Sequence, residues 1–522
     1  MRARQQWWAR ARCVGVVGVA VLMMGLAGCA PAYRQARLAH KLKATLHQLD
    51  ETGVVVAARV LELPGGRELY ADQPDRPMLP ASNMKLLVTA AALDTWDPQQ
   101  SFATYLAMDG QDLWLIGTGD PAVGDPTIAR KRGGTTVTVL QEWARALKDR
   151  GVERIGGKLY YYDGALDAQQ IHPSWNRADL VHWYAAPISG LNFNDNCIDI
   201  TIWPTEPGKP VRYEVVPPTK GVTIINKCIT GSGSESGADA PDCQRQPDAN
   251  VYTITGTCTK KTELKSKPVT DPGAFFADAL RTHLESAGIA IDGPTVRAEQ
   301  PLGGALVPPA QKIVALHETT LAEILPRINK NSQNLLAEGI CKLLGREYDR
   351  QRGIDAPGSW KSAEQAIRAF LARCGIDDSQ LVVADGSGLS RQNRVTARLI
   401  SEVLLRMWEH PRRQAFFDSL GVGGRDGTIA SRFKDVPDRV HAKTGYIGGV
   451  RALSGYAQTS QPDKWLVFSF IYNQIPGSVR PYEHVQDEAC RLLLSYPKLN
   501  YRPAATQPTT QPAIAAASRA GP

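Results

Sequence analysis

Ser82 and Lys85 are the two residues near the start of the chain with the most evident catalytic potential. They stand three residues apart at the head of an apolar run, Leu86 to Leu93, that predicts a helix, so both side chains should face one way on its first turn. The lysine amine could then accept the serine proton, and the unpaired N–H groups of the helix N-terminus would favour a developing anion. Alone the pair is a weak signal, because about two Ser-x-x-Lys matches are expected by chance in a chain of this length. An N-cap serine followed by an exposed lysine is the commoner explanation of such a match.

Two further motifs lie far downstream. Ser332-Gln333-Asn334 stands in a polar stretch between two predicted helices, and Lys443-Thr444-Gly445 ends a predicted strand shortly before a glycine pair. Ser-x-x-Lys, Ser-x-Asn and Lys-Thr-Gly in this order are typical of β-lactamases and penicillin-binding proteins. Gln333 occupies the variable middle position of its motif, where we expect the residue type to matter little. The joint order of the motifs makes the following residues candidate catalytic groups: Ser82, Lys85, Ser332, Asn334 and Lys443.

Four shorter segments add a family resemblance. They are Gly119-Asp120-Pro121, Ala186-Pro187-Ile188-Ser189, Asn329-Lys330-Asn331-Ser332 and Asp385-Gly386-Ser387-Gly388-Leu389-Ser390-Arg391. With the three motifs and the gap of 250 residues between Ser82 and Ser332, the chain resembles the D-alanyl-D-alanine carboxypeptidase/endopeptidase family of low-molecular-mass class C penicillin-binding proteins. The resemblance covers the chain from residue 40 to residue 495.

The resemblance implies an α/β (α+β) fold. Its core would be an antiparallel sheet flanked by helices, as in penicillin-binding proteins and β-lactamases, with β-rich domains inserted between the first two motifs. We therefore expect a catalytic core made of residues 29–95 and 306–498, with the inserted region at 96–305. Residues 499–522 are rich in Ala, Pro, Thr and Gln and are expected to be a disordered tail.

The predicted reaction is acyl transfer to Ser82 followed by hydrolysis. The resemblance implies a peptidoglycan stem peptide as substrate, cleaved at its terminal D-alanine or at a crosslink, and inhibition by β-lactam antibiotics. Lys85 is the candidate base, provided that burial and the nearby Lys443 lower its pKa. Ser332 could pass a proton to the leaving amine, and Asn334 could hold the substrate amide.

The substrate-binding candidates belong to the third motif and to the inserted region. Thr444 and Gly445 of the motif, with Lys443, would receive the terminal carboxylate, and the N–H groups of Ser82 and Tyr446 could form an oxyanion hole. By resemblance to the family, Asp179 and Tyr184 would reach towards a diaminopimelate side chain, and Arg391 would line the same cleft.

Two other functions remain compatible with the motifs. A serine β-lactamase shares them, although it joins the first two over a much shorter gap and needs a carboxylate positioned for rapid deacylation. A non-catalytic cell-wall-binding lipoprotein could retain the fold without the activity. The intact triplet favours an enzyme over this second alternative.

The first 28 residues resemble a bacterial lipoprotein signal peptide. Four arginines precede an apolar run, Val14 to Gly28, which is short for a transmembrane span and ends in Leu26-Ala27-Gly28-Cys29. We expect lipidation of Cys29 and anchoring in a membrane facing the periplasm, with Ala30 favouring the outer membrane. An ordinary signal peptide cut near Ala30-Pro31-Ala32, or an uncleaved anchor, is the alternative.

Charge and cysteine content limit the remaining possibilities. The formal net charge of +8 falls to +4 without the four N-terminal arginines, too little to indicate nucleic-acid binding. Seven of the nine cysteines follow Cys29, and a disulfide among Cys228, Cys243 and Cys258 is compatible with an oxidising periplasm. Without Cys-x-x-Cys or His-x-x-x-His spacings, we expect no metal site and no cofactor. The oligomeric state stays open.

Overall fold

A six-stranded antiparallel sheet forms the centre of the core. The computed structural model describes residues 32–49, 52–232 and 239–501. In spatial order the strands are Gly421–Val422, Val440–Ile447, Val450–Gln458, Trp465–Asn473, Val55–Glu62 and Arg67–Asp72. Because Val55–Glu62 pairs with Trp465–Asn473, the two ends of the described chain meet in one sheet. The mixed fold with an antiparallel core confirms the predicted fold class.

Helices cover both faces of this sheet. One face packs against the helix that follows Ser82 and its neighbours, and the other packs against residues 32–46 and the last helix. The central strands are therefore buried on both sides, which explains their nearly unbroken apolar sequences. The helices are residues 32–46, Met84–Thr95, Pro126–Lys131, Thr138–Asp149, Pro272–Ser286, Leu321–Asn329, Asn334–Gln351, Trp360–Arg373, Ala397–Glu409, Arg413–Ser419 and Arg480–Ser495.

The inserted region has a separate hydrophobic core. Its largest sheet has, in spatial order, the strands Thr295–Arg297, Leu159–Tyr162, Asp112–Gly117, Ser101–Asp109 and Ile313–Thr320. The last of these pairs with Ser101–Asp109, so this sheet includes residues beyond position 305. The smaller strands are Arg154–Ile155, Cys197–Trp203, Arg212–Val216, Thr223–Asn226, Ile229–Thr230, Asp242–Arg245, Val251–Thr255, Thr257–Cys258, Thr262–Glu263, Lys267–Pro268 and Ala290–Ile291.

Two local features position the motifs. A 3₁₀ turn, Ala81–Asn83, leads into the helix Met84–Thr95, which is buried from Met84 to Leu93 on all sides. A helix with apolar residues all round is expected inside a core rather than on a surface. Residues 330–333 join the helices Leu321–Asn329 and Asn334–Gln351, and the second motif lies at this junction.

The periphery of the chain bears on three further expectations. The signal peptide and Cys29 lie outside the described residues, as does the tail from residue 502. Leu499 is buried with the last helix, so the core continues past residue 498. All seven cysteines in the described ranges are unpaired, so the structure does not contain the disulfide considered for residues 228–258. Within those ranges, no helix combines the length and apolarity needed to cross a bilayer.

Candidate active site

The three motifs meet in one cleft of about 840 Å³ between the core and the inserted region. Lys85 Nζ donates to Ser82 Oγ at 3.0 Å and to Asn334 Oδ1 at 2.6 Å. Lys443 Nζ donates to Ser332 Oγ at 2.8 Å. The five candidate catalytic residues are separated by up to 361 positions of sequence, yet they form two hydrogen-bonded groups in one cleft.

Tight backbone packing presents Ser82 to the cleft. Ala81 has a φ of +45°, a conformation that residues other than glycine rarely adopt. A Cβ on Gly388 would lie 1.8 Å from the Ala81 carbonyl oxygen, and one on Gly445 would lie 2.7 Å from that of Pro80, so both positions require glycine. Ser82 itself lies inside the 3₁₀ turn and does not cap the helix, which excludes the simple N-cap explanation.

Lys85 is a fully buried amine with three acceptors. Besides Ser82 and Asn334, it donates to the Ser387 carbonyl oxygen at 2.6 Å. Burial lowers the pKa of Lys85 to about 7, although the charges of Glu338 and Asp385 act in the opposite direction. An amine with such a pKa is neutral for part of the time at neutral pH, as a general base must be.

Ser332 and Lys443 form the second hydrogen-bonded pair. Ser332 has a φ of +59°, and this left-handed residue at the junction of two helices turns its side chain towards Lys443. Lys443 also donates to its neighbour's carbonyl oxygen, that of Thr444, at 2.9 Å. Burial and the nearby Lys85 hold the pKa of Lys443 well below its usual value. The Thr444 hydroxyl lies 2.8 Å from that of Thr428, which also lines the cleft.

Asn334 has partners at both ends of its side-chain amide. Its Oδ1 accepts from Lys85, and its Nδ2 donates to the Tyr184 carbonyl oxygen at 2.7 Å. The amide thereby connects the second motif with the inserted region. We expected from the sequence that Asn334 holds the substrate amide. To do so, it would have to bind the substrate while keeping or exchanging these two internal hydrogen bonds.

The remaining substrate-binding candidates line the same cleft. Tyr184 Oη donates to Asp179 Oδ1 at 2.9 Å, and burial with this carboxylate raises the pKa of Tyr184 to about 12. Arg391 Nη1 donates to the Gly448 carbonyl oxygen at 2.9 Å on the facing side. Tyr446 has 59% of its surface exposed. Asp179, Tyr184 and Arg391 therefore surround the outer part of the cleft.

Two buried carboxylates behind the site were missed by the sequence reasoning. Glu338 accepts from Gly386 N and Ser387 N, and Asp385 accepts from Gly388 N and Ser390 N. Together they hold the loop 385–390 against the backbone at Ser82. Glu338 follows Asn334 by one helical turn, a spacing that could have marked it, whereas nothing in the sequence showed that the acid of the Asp385 segment is buried.

Gln333, at the middle position of the second motif, contacts the inserted region. It is buried, and its Nε2 donates to Asp195 Oδ2 at 2.7 Å. Arg327 also donates to Asp195, at 3.2 Å, and to Asp125 at 2.7 Å. Burial and the adjacent Asp125 raise the pKa of Asp195 well above its usual value. The second motif is thus held from behind by the inserted region through Gln333.

Known proteins share this architecture and sequence pattern. A family model described as D-Ala-D-Ala carboxypeptidase 3 (S13) matches residues 38–488. A D-alanyl-D-alanine carboxypeptidase from Actinomadura sp. (strain R39) is 30% identical over 502 residues, covering 89% of this chain and 87% of that protein. D-alanyl-D-alanine carboxypeptidase DacB from Haemophilus influenzae is 26% identical over 416 residues, covering 77% of this chain and 82% of that protein.

A solved structure supports the same grouping at the level of the fold. The crystal structure of penicillin binding protein 4 (dacB) from Haemophilus influenzae has a TM-score of 0.71 and 21% sequence identity, and the match covers 87% of this chain and 99% of that one. The family match runs from the N-terminal helix to the last helix and includes all three motifs. This chain therefore belongs to the D-Ala-D-Ala carboxypeptidase 3 (S13) family and is a peptidase.

Proposed function

We propose that this protein is a serine D-Ala-D-Ala carboxypeptidase and endopeptidase that acts on peptidoglycan through an acyl-enzyme on Ser82. The observation that carries the proposal is the buried Lys85 amine, 3.0 Å from Ser82 Oγ. Membership of the family and the names of the relatives support the D-Ala-D-Ala carboxypeptidase activity. The acyl-enzyme, the crosslink cleavage and the inhibition by penicillin rest on the geometry and on the family resemblance.

In the proposed acylation, neutral Lys85 takes the proton of Ser82 as Oγ attacks the carbonyl of the penultimate D-alanine. The N–H groups of Ser82 and Tyr446 stabilise the negative oxygen of the tetrahedral intermediate, and each such donor is typically worth about 3 kcal/mol of barrier. The C–N bond then breaks, and the departing amine of D-alanine needs a proton. Ser332 supplies it and is reprotonated through Lys443, its hydrogen-bond partner at 2.8 Å. In the second half of the reaction water attacks the ester, its proton passes through Ser332 to restore Lys443, and Lys85 returns its proton to Ser82 Oγ as the ester bond breaks.

The third motif is proposed to recognise the free chain end. A bound terminal carboxylate would favour the protonated form of Lys443, against the burial that lowers its pKa, so that Lys443 contributes positive charge. The Thr444 hydroxyl, paired with that of Thr428, contributes a donor for the same carboxylate. A carboxypeptidase needs such a contact because the free carboxylate distinguishes the end of a stem peptide. In crosslink cleavage the same contact would hold the carboxylate of the D-amino centre on the departing strand.

The outer cleft is proposed to bind the side chain of the stem peptide. Asp179 carries a negative charge suited to an ammonium group, Arg391 carries a positive charge suited to a carboxylate, and Tyr184 lies beside Asp179. A diaminopimelate side chain presents both an ammonium and a carboxylate at its far end. The opposite charges of Asp179 and Arg391 therefore support the assignment that the family resemblance implies.

β-Lactam antibiotics are the proposed inhibitors, because they would acylate the same serine. The Haemophilus influenzae penicillin binding protein 4 has been solved in complex with a β-lactam, which is a property of that protein. A β-lactamase would need a carboxylate that activates the deacylating water. Of the described residues lining the cleft, Asp179 is the only carboxylate, and Tyr184 already donates to it. This composition favours the peptidase.

We also propose that the protein is exported and anchored in the outer membrane through a lipid on Cys29, facing the periplasm. The support is the signal-like run that ends at Cys29. Growth with a labelled fatty acid tests this: the wild type should become labelled and the Cys29→Ala variant should not. Equal labelling of both would contradict lipidation at this cysteine.

Mass spectrometry of purified muropeptides tests the enzymatic proposal. Incubation with the wild type should release D-alanine from pentapeptides and separate crosslinked dimers, whereas Ser82→Ala should do neither. The same preparations should hydrolyse nitrocefin slowly at most. Rapid nitrocefin turnover without any change in the muropeptides would instead favour the β-lactamase.

A further inference from the structure

Glu338 is a buried carboxylate that the proposed chemistry does not use. It lies on the helix Asn334–Gln351, one turn beyond Asn334, and only 1% of its surface is exposed. Its Oε2 accepts from Trp360 Nε1 at 2.7 Å and from Gly386 N at 2.9 Å, and its Oε1 accepts from Ser387 N at 2.8 Å. Three N–H donors converging on one carboxylate hold it in a fixed position.

The loop held by Glu338 makes direct contact with the proposed base. Ser387 donates its N–H to Glu338, and its carbonyl oxygen accepts from Lys85 Nζ at 2.6 Å. A Cβ on Gly386 would come within 2.5 Å of the Cys341 side chain, so the loop presses closely on the helix that carries Glu338. A single residue, Ser387, therefore links the carboxylate to the amine.

Several titratable groups surround Glu338 and Lys85. Burial raises the pKa of Glu338 to about 7, and Asp385 acts in the same direction. The charge of Glu338 in turn raises the pKa of Lys85, against the effect of burial. The titratable groups that face the pair from the surrounding elements are Asp385, Lys443, Lys342, His172 and Cys341.

We infer that Glu338 is a positioning residue, which holds the Ser387 carbonyl against the Lys85 amine and supplies the buried negative charge that this amine faces. The inference rests on the proposed function, because it assigns Lys85 the role of base. It goes further in naming a buried charge that, together with burial and Asp385, influences the pH at which this base becomes neutral. A protonated Lys85 is favoured by the Ser387 carbonyl and by the Glu338 charge, so removal of that charge should let the amine lose its proton at lower pH.

The test is the rate of Ser82 acylation by fluorescent penicillin as a function of pH. In the wild type the rate should rise with pH as Lys85 becomes neutral. In Glu338→Gln this rise should move to lower pH by about one unit, because one buried charge near the amine is lost. Its plateau should also fall, by about tenfold, because the glutamine NH₂ would face N–H groups that need an acceptor. Glu347→Gln, at a partly buried carboxylate near the far end of the same helix whose partner is Arg350, should leave both quantities unchanged.

A lower plateau with an unmoved pH midpoint would overturn the inference, since a purely structural carboxylate would lower the rate at every pH alike. Trp360→Phe provides a second test if Glu338→Gln does not fold. It removes one donor to Glu338, raises the pKa of that carboxyl, and should move the midpoint in the same direction by a smaller amount. An unmoved midpoint in this variant would also count against the inference. Failure of the wild type to be acylated at any pH would instead reject the proposed function.

Discussion

The side-chain amide of Asn83 donates a hydrogen bond of 3.0 Å to the carbonyl oxygen of Lys443. Asn83 directly follows Ser82, so this bond fastens the first motif to the strand that carries the third. Both residues are fully buried, and the sequence separates them by 360 positions. The serine and the lysine strand therefore keep their relative positions through a residue that takes no part in the proposed chemistry.

Replacement of Asn83 by alanine should disturb this arrangement. The Lys443 carbonyl would lose a buried partner, at a cost of about 1–3 kcal/mol in the free energy of unfolding. We expect a lower melting temperature and a penicillin acylation rate reduced by about tenfold or more. The matched control is Gln414→Ala, which removes an exposed amide whose partner is Asp418 and should change neither quantity. Normal acylation by Asn83→Ala would show that the bond does not align the two motifs.

Asp120 should make stability depend on pH. It accepts from Ala122 N and from the Thr319 hydroxyl, and burial raises its pKa to about 7. The unfolded chain releases this proton near pH 3.8, whereas the folded protein keeps it up to about pH 7. The stabilisation that depends on the neutral carboxyl is therefore complete below pH 3.8 and is lost as the pH rises towards 7, by about 2–4 kcal/mol.

In the Asp120→Asn variant, the free energy of unfolding should depend less on pH between pH 4 and pH 7. Its carbonyl oxygen can still accept from Ala122 N, while its NH₂ can face the Thr319 hydroxyl, which is able to accept. Urea unfolding of both proteins between pH 4 and pH 7 measures the difference. Parallel profiles for the two proteins would mean that Asp120 does not hold its proton in the folded state.

Asp179 should affect the peptide substrate but not the inhibitor. Asp179→Asn removes the negative charge from the outer cleft, while the asparagine can still accept from Tyr184 Oη. We expect kcat/KM for a peptide with a free diaminopimelyl ammonium to fall by about tenfold, the usual scale for one charge-assisted hydrogen bond. The acylation rate with a penicillin that lacks an ammonium group should stay within about twofold of the wild type. An equal fall in the rates with the peptide and with the penicillin would show that Asp179 acts on the catalytic residues instead of on the ammonium group of the peptide.

The Lys85→Met variant tests whether Lys85 is the base that activates Ser82. Methionine fills a similar volume without a charge, but it leaves the Asn334 and Ser387 oxygens without their buried donor, at a cost of about 1–3 kcal/mol each in the free energy of unfolding. We expect a folded protein with a lower melting temperature and acylation slower by a factor of about 1,000, since an unassisted serine hydroxyl is a poor nucleophile. Acylation at the wild-type rate would require a base other than Lys85.

Sequence and structure agree best where short motifs carry the information. The order of the three motifs was enough to predict that Ser82, Lys85, Ser332, Asn334 and Lys443 would come together, because each has a fixed role in one arrangement. The motifs could not predict the bonds of Asn83 to Lys443 or of Gln333 to Asp195, since Asn83, Gln333 and Asp195 are not among the residues that define the motifs. Spacing alone also left the pairing of Cys228, Cys243 and Cys258 open, and the structure shows all three as free thiols.

Intact-protein mass spectrometry after brief exposure to benzylpenicillin tests the central claim most directly. The wild type should gain the mass of one penicilloyl group, and proteolysis should map it to the peptide that contains Ser82. Ser82→Ala, with an unchanged melting temperature, should gain none. A penicilloyl group on another residue, or equal labelling of a folded Ser82→Ala variant, would contradict the account.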